Sequence, residues 1–254
     1  MSPFLRNIAL DLSGAPRHKF PFNVPSFSKG VNLRLTKPVT FIVGANGSGK
    51  STFLETVAAK CGFNSQGGNR NHNMYEWEEA TPLEEAMKLS WQPKITGGFF
   101  LRAETFFNFG SYIDGVNNEG LILHEGRQSV HEQSHGEFFL SLFQNRFENG
   151  LFILDEPEAA LSPISQLAFL SMLHEHEKAG AGQFLIATHS PILICYPGAT
   201  VYGVSDDGFA EMDYRETEHY RITKNFLDNP EQYLRHLFGD GDADRDGHST
   251  EEGW

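Results

Sequence analysis

Cysteine is nearly absent: two in 254 residues, Cys61 and Cys195, with no CxxC or Cys/His spacing around either. That excludes a disulfide-stapled scaffold and a thiolate metal site. It predicts buried free thiols in a reducing compartment, the cytoplasm. Long apolar runs are missing too. The longest candidate, residues 191–196, falls far short of the ~18 residues that cross a bilayer. The opening MSPFLRNIALDLSG lacks a basic start followed by an apolar core, so it does not read as a secretory signal. Positive charge is scarce: 20 Lys+Arg stand against 33 Asp+Glu, for a net charge of −13. A protein whose affinity rests on many phosphate contacts carries a basic face. The balance here argues against tight DNA binding by the lone chain, though it leaves room for a local basic groove. No internal repeat is present, and no heptad run lies between residues 50 and 134.

Phenylalanine, by contrast, is abundant at 22 residues, and 39% of the chain is hydrophobic. Most of the Phe residues recur inside apolar runs, and simple packing accounts for them, Phe106, Phe107 and Phe109 included. The length suits one large α/β domain or two small ones. Residues 151–154 (LFIL) and 183–187 (QFLIA) read as fully apolar strands, and residues 4–10 as a first strand. Helical patterns cover residues 51–60, 162–178, a stretch from Thr81, and a last helix within residues 223–238. Residues 136–149 are amphipathic, with Phe138, Phe139, Leu142, Phe143 and Phe147 near a 3.6-residue period. Residues 99–107 alternate weakly, as a strand would. Residues 201–204 and 209–214, joined through Asp206, Asp207 and Gly208, read as a hairpin. Residues 18–27 are proline-punctuated and read as extended. Residues 62–73 and 110–133 read as loops. Buried strands alternating with helices predict a largely parallel sheet covered on both faces. The expected organisation is one domain over residues 1–238, with residues 62–133 a lid-like subregion and residues 239–254 a disordered acidic tail.

The most informative stretch is VTFIVGANGSGKST at residues 39–52. An apolar β-branched run stops at Gly44. Ala45, Asn46, Gly47, Ser48 and Gly49 form a loop of small residues, and Lys50, Ser51 and Thr52 open a helix. This is the G-x-x-x-x-G-K-[ST] spacing of a phosphate-binding P-loop, or Walker A motif. Gly44, Gly47 and Gly49 let the backbone curl so that its N–H groups face phosphate oxygens, and the helix adds its positive N-terminal end. Lys50 brings a full charge for the β- and γ-phosphates, and Ser51 a hydroxyl for Mg²⁺.

Three further segments carry chemistry. LFILDEPEAAL ends an apolar strand in two acids. Asp155 is placed to hold Mg²⁺ and Glu156 to polarise an attacking water, although paired acids also suit a helix N-terminus. ATHS ends another apolar strand, where His189 could contact a γ-phosphate or its water. Ser134 followed by Glu137 before an apolar run is a capping-box pattern. With Gly136 it suits either a second anion site or an ordinary helix cap. Asp242, Asp244, Asp246 and Gly247 imitate the start of a Ca²⁺ loop, but its twelfth position is Gly253 rather than Glu.

Taken in order, the P-loop, SHGE, LFILDEP and ATHS resemble the ABC-type ATPase superfamily. The likeness is strongest to the small soluble ATPases of the AAA family allied to SMC and RecF proteins, and it spans residues 4–238. The resemblance implies a P-loop α/β fold, ATP and Mg²⁺ as ligands, and two subunits packed head to tail across ATP. It would make Lys50, Glu156 and His189 catalytic, Ser51 and Asp155 the metal donors, and Ser134 and Gly136 the contact with the partner's nucleotide. Residues 159–162 would cross the dimer interface. There are departures. The signature reads Ser134-His135-Gly136-Glu137 where the family has Ser-Gly-Gly-Gln, and the interface loop ends in Ser162 where Asp is common. Glu104 or Gln92 would stand in for the metal-sensing Gln. Phe20 or Phe22 would stack on the base or pack in the core. The implied activity is Mg²⁺-dependent ATP hydrolysis by a homodimer, driving a DNA-linked or defence-type process. The alternative is a nucleotide-dependent switch that acts with a separate effector protein or DNA. A transporter's energy-coupling subunit is a weaker match.

Overall fold

The computed structural model describes residues 3–64, 80–102 and 149–239. Its strands are β1 (Leu5–Leu10), β2 (Val31–Arg34), β3 (Val39–Gly44), β4 (Met87–Trp91), β5 (Gly98–Arg102), β6 (Gly150–Asp155), β7 (Gly182–Ala187), β8 (Thr200–Ser205) and β9 (Gly208–Glu211). Its helices are α1 (Lys50–Lys60), α2 (Pro82–Ala86), α3 (Pro163–Ala179), α4 (Glu218–Asp228) and α5 (Pro230–Phe238).

Strands buried at almost every position need cover on both faces, and β3, β6 and β7 receive it. They lie inside a six-stranded sheet of order β5-β6-β7-β3-β8-β9, parallel except for the β8–β9 hairpin. Side chains alternate between its faces. Val39, Phe41 and Val43 pack with Phe152, Phe184 and Ile186 against Phe169 and Leu173 of α3. Ile42, Ile153 and Leu185 pack instead with Phe53, Leu54 and Val57 of α1. The same core takes in Leu5, Ile8 and Leu33 from a second, antiparallel sheet of order β2-β1-β4. α1, which begins at the P-loop, therefore shares one continuous core with both sheets.

Several sequence expectations need correction. Residues 18–27 are not extended. They run through successive turns (Asn23 N–H to Lys19 O, 3.1 Å; Val24 N–H to Pro21 O, 3.1 Å) into a 3-10 turn at Pro25–Phe27. Proline's fixed φ suits turns as well as extended chain, and the turns bury Phe22 and Phe27. The helix at Thr81 has the capping box its sequence promises, but it ends at Ala86. Met87–Trp91 pairs with β1 instead, so tertiary pairing overrides helix propensity there. Residues 223–238 contain a last helix as expected, Pro230–Phe238, and also the end of an earlier one, Glu218–Asp228; the two break at Pro230, which has no N–H to continue the ladder. Cys61 is buried as expected, whereas Cys195 is only partly so. No helix among the described residues is long and apolar enough to cross a membrane. The expected helix at 136–149, the loops at 110–133, the acidic tail and its Ca²⁺-like run lie outside the described residues (Asn149 and Gly239 excepted), as do Phe106, Phe107 and Phe109.

One buried polar side chain ties the two sheets together. Gln183 of β7 is 2% exposed. Its amide oxygen accepts from Leu5 N–H at 2.8 Å and its amide N–H₂ donates to Leu5 O at 2.8 Å. The side chain thus copies a ladder partner for β1. Replacing Gln183 with Leu should leave both Leu5 groups unpaired and lower unfolding free energy by about 2–4 kcal/mol, read as a reduced urea midpoint at unchanged slope.

Candidate nucleotide site

Parallel register brings the motifs to one edge of the sheet. Ile42 of β3 lies beside Ala187 of β7, and Ala187 lies beside Asp155 of β6. The P-loop, the two acids and the THS turn therefore leave the sheet side by side.

Within the P-loop, glycine serves two different needs. Gly49, the N-cap of α1, has φ 97°, a left-handed conformation that side chains resist. Gly44 is needed for space: a Cβ there would sit 2.5 Å from Val204 O on β8. The loop is braced from below by Ser26, whose hydroxyl donates to Ser48 O at 2.6 Å. Ser48 Oγ itself is buried with no hydrogen-bond partner. Lys50 is buried, and its Nζ donates to Gly44 O and Ala45 O, both at 2.9 Å. Burial pulls its pKa down, while Glu156, Asp155 and Glu158 oppose that pull.

Ser51 Oγ donates to Asp155 Oδ1 at 3.3 Å, so a hydroxyl and a carboxylate separated by 104 residues converge. Asp155 is 6% exposed, and burial raises its pKa from the ordinary 3.8 to about 6. The Ser51 hydroxyl and the Arg102 charge work against the rise, and Glu156 adds to it. Arg102 is held 2.7 Å from Glu55. An oxygen pair with a destabilised carboxylate fits a hard divalent cation, and two protein donors suit Mg²⁺, which keeps water and phosphate in the rest of its shell. Among the described residues no cluster of three or more His, Cys, Asp or Glu could hold a metal ion by itself.

Glu156 follows with φ 52° and ψ 52°, left-handed for a side-chain-bearing residue. Such a residue carries roughly 1–2 kcal/mol of backbone strain. Its N–H still bonds to Ala187 O at 2.9 Å, so the turn begins while β6 remains pinned to β7. Glu156 Oε1 lies 3.3 Å from His189 Nε2, a buried nitrogen off any hydrogen-bond line. His189 Nδ1 lies 2.7 Å from Nε2 of His219 on α4.

Sequence reasoning missed the supports of this cluster. Glu158 accepts from His189 N–H at 2.6 Å and from Thr188 Oγ1 at 2.8 Å, and burial raises its pKa. Gln166 of α3 accepts from the Ser190 hydroxyl at 2.5 Å and donates to Leu161 O at 3.1 Å. The only signal for Glu158 was an acid set in the otherwise small and apolar PEAAL. Ser162, where an Asp was noted as common, is the N-cap of α3 and accepts from Ser165 N–H at 3.2 Å. Phe22 is core, whereas Phe20 is 71% exposed. Gln92 is exposed at the end of β4, its N–H bonded to Phe4 O. Ser134, Gly136 and Glu104 lie outside the described residues.

Comparison with known proteins agrees with this architecture. An AAA domain family model matches residues 22–97. The SMC head bound to the C-winged helix domain of ScpA is similar in structure, with a TM-score of 0.53 at 13% identity over 83% of this chain and 98% of that one. The fold is that of an ABC-type ATPase head. The SMC head domain from Thermotoga maritima (17% identity, 83% of this chain and 99% of that, TM-score 0.46) is also similar. So is cbiO1 of Clostridium perfringens, part of the ABC transporter complex cbiONQ (20%, 82% and 90%, TM-score 0.47). No curated protein matches the chain.

A carboxyl whose pKa is higher folded than unfolded makes the native state bind more protons between about pH 4 and 6. Its contribution therefore worsens as pH rises through that window and is constant above it. Without divalent cations, Asp155→Asn should be more stable than the parent by about 1–3 kcal/mol at pH 8, the advantage shrinking towards zero near pH 4. Urea unfolding in EDTA at several pH values reads this directly. A variant no more stable at pH 8 would contradict the burial argument.

Proposed function

We propose that this chain binds ATP with Mg²⁺ and hydrolyses it to ADP and phosphate, two copies packing head to tail across the nucleotide. The observation that supports this most is the convergence of a P-loop lysine, a Ser51–Asp155 oxygen pair and a Glu156–His189 pair on one sheet edge. Ser51 and Asp155 are the protein's donors to Mg²⁺, which when bound neutralises charge on the β- and γ-phosphates. Lys50 exchanges the Gly44 and Ala45 carbonyls for phosphate oxygens. The backbone N–H groups of residues 45–52 and the start of α1 cradle the same oxygens. Glu156 takes the proton of the attacking water. His189, held by Glu158 through its backbone, offers a ring nitrogen to the γ-phosphate or that water. Ser134 and Gly136 of the second copy complete the cradle, so neither copy is competent alone. Catalysis on this reading is mainly positioning and charge stabilisation.

Glu156→Gln separates binding from chemistry. ATP affinity should be retained, turnover should fall by about 10²-fold or more, and ATP should trap a dimer visible by light scattering. Undiminished turnover would remove Glu156 as general base, and a variant that stays monomeric with saturating ATP would remove the head-to-tail arrangement.

A further inference from the structure

α4 begins at Thr217, a buried N-cap whose hydroxyl accepts from Tyr220 N–H at 3.3 Å and donates to Tyr214 O at 2.6 Å. This anchoring fixes His219 in the first turn of the helix. Its ring meets that of His189 edge-on, with centroids 4.7 Å apart and planes at 67°. The close atoms are His219 Nε2 and His189 Nδ1, at 2.7 Å. The other nitrogen of His189 faces Glu156 Oε1 at 3.3 Å. A single imidazole thus has one end on α4 and the other 3.3 Å from the candidate catalytic carboxylate.

Only one proton fits between two ring nitrogens at 2.7 Å, so one imidazole donates and the other accepts. Burial, and then the Lys50 charge, push both histidines towards the neutral form, although Glu156 pulls His189 and Glu218 pulls His219 the other way. A neutral His189 carries its proton on Nδ1 or on Nε2. If Nδ1 held it, the bare Nε2 lone pair would face the Glu156 carboxylate, and the two would repel. If Nε2 holds it, the N–H faces the carboxylate and the bare Nδ1 must accept. Among the described residues, His219 Nε2 at 2.7 Å is the group placed to donate.

We propose that His219 is a positioning residue that donates its Nε2–H to Nδ1 of His189 and so holds His189 as the Nε2–H tautomer. The inference rests on the ATP-site reading for its functional meaning. The tautomer fixed by α4 presents a donor, not an acceptor, towards the γ-phosphate and its water. A ring flipped to the other tautomer would offer a lone pair to anionic oxygens.

The test uses the full chain with ¹⁵N-labelled histidine at a pH where both rings are neutral, the His189 signals assigned by their loss in His189→Gln. Wild type should show a protonated Nε2 and an accepting Nδ1 on His189. His219→Phe keeps a ring but removes the donor. It should shift the His189 nitrogens towards a tautomer mixture and lower kcat by about tenfold with KM for ATP changed less than about twofold. His219→Gln, whose amide can donate, should restore both readouts. A protonated Nδ1 in wild type, or unchanged His189 nitrogens in His219→Phe, would overturn the proposal, and the wild-type spectrum decides even if that variant fails to fold. The nitrogen shifts need no turnover. A chain that hydrolyses no ATP would sink the ATPase reading while the tautomer result stood or fell by itself.

Discussion

Parallel register is the constraint on which the rest of this molecule depends. The side-chain period of a strand is two, so a slip of one residue would send the alternating apolar sets of β3, β6 and β7 to the wrong faces. The two cores on either side of the sheet do not interchange. One is built against α3 and the other against α1 and the small sheet. Packing therefore locks the pairing of Ile42, Ala187 and Asp155. The same lock delivers Gly44, Glu156 and Thr188 to one edge as neighbours. The site is a by-product of core complementarity, which explains how residues more than a hundred positions apart reach bonding distance.

The edge that results is electrostatically unfavourable before anything binds to it. Asp155 and Glu158 are pushed towards neutrality by burial, and Lys50 is pushed the same way. Glu156 occupies a backbone region that side-chain-bearing residues avoid. Ser48 Oγ is buried without a hydrogen-bond partner. Ligands that bring opposite charge and hydrogen-bonding oxygens relieve several of these penalties together. A Mg²⁺–triphosphate has both attributes, with cation for Asp155 and anion for Lys50, which is the physical sense in which the edge matches it. A purely structural edge would gain from replacing these groups with apolar ones.

How much of this was legible depended on where the determining contacts lie. β3, β6 and β7 announce themselves because full burial demands uninterrupted apolar residues, and each ends in a chemically distinctive run. The P-loop, Asp155, Glu156 and His189 were readable for that reason, as was the β8–β9 hairpin with its Asp-Gly turn. β4 was not. Its residues follow a true capping box, and only the β1 edge, invisible in the sequence, makes Met87–Trp91 a strand. The turns at residues 18–27 failed for a related reason, because proline restricts φ without choosing between turn and extended chain. Pro230 could have been read as a helix break from its missing N–H, and the periodicity of the flanking residues masked it.

The supports that sequence missed share a chemical logic. Gln183, Gln166 and His219 are neutral groups with a donor and an acceptor, and Glu158 is a carboxylate that two donors hold. Each bridges elements that no covalent proximity unites: β7 to β1, α3 to the loop after His189, α4 to His189, the turn after β6 to the turn after β7. A neutral two-ended group can satisfy one partner on each side without importing net charge into an edge already crowded with it. A lysine in place of His219 would bind one side and add to the charge around Lys50 as well. Amides and imidazoles at the junctions, with formal charge confined to the edge itself, let the framework be rigid while the charges stay available to a ligand.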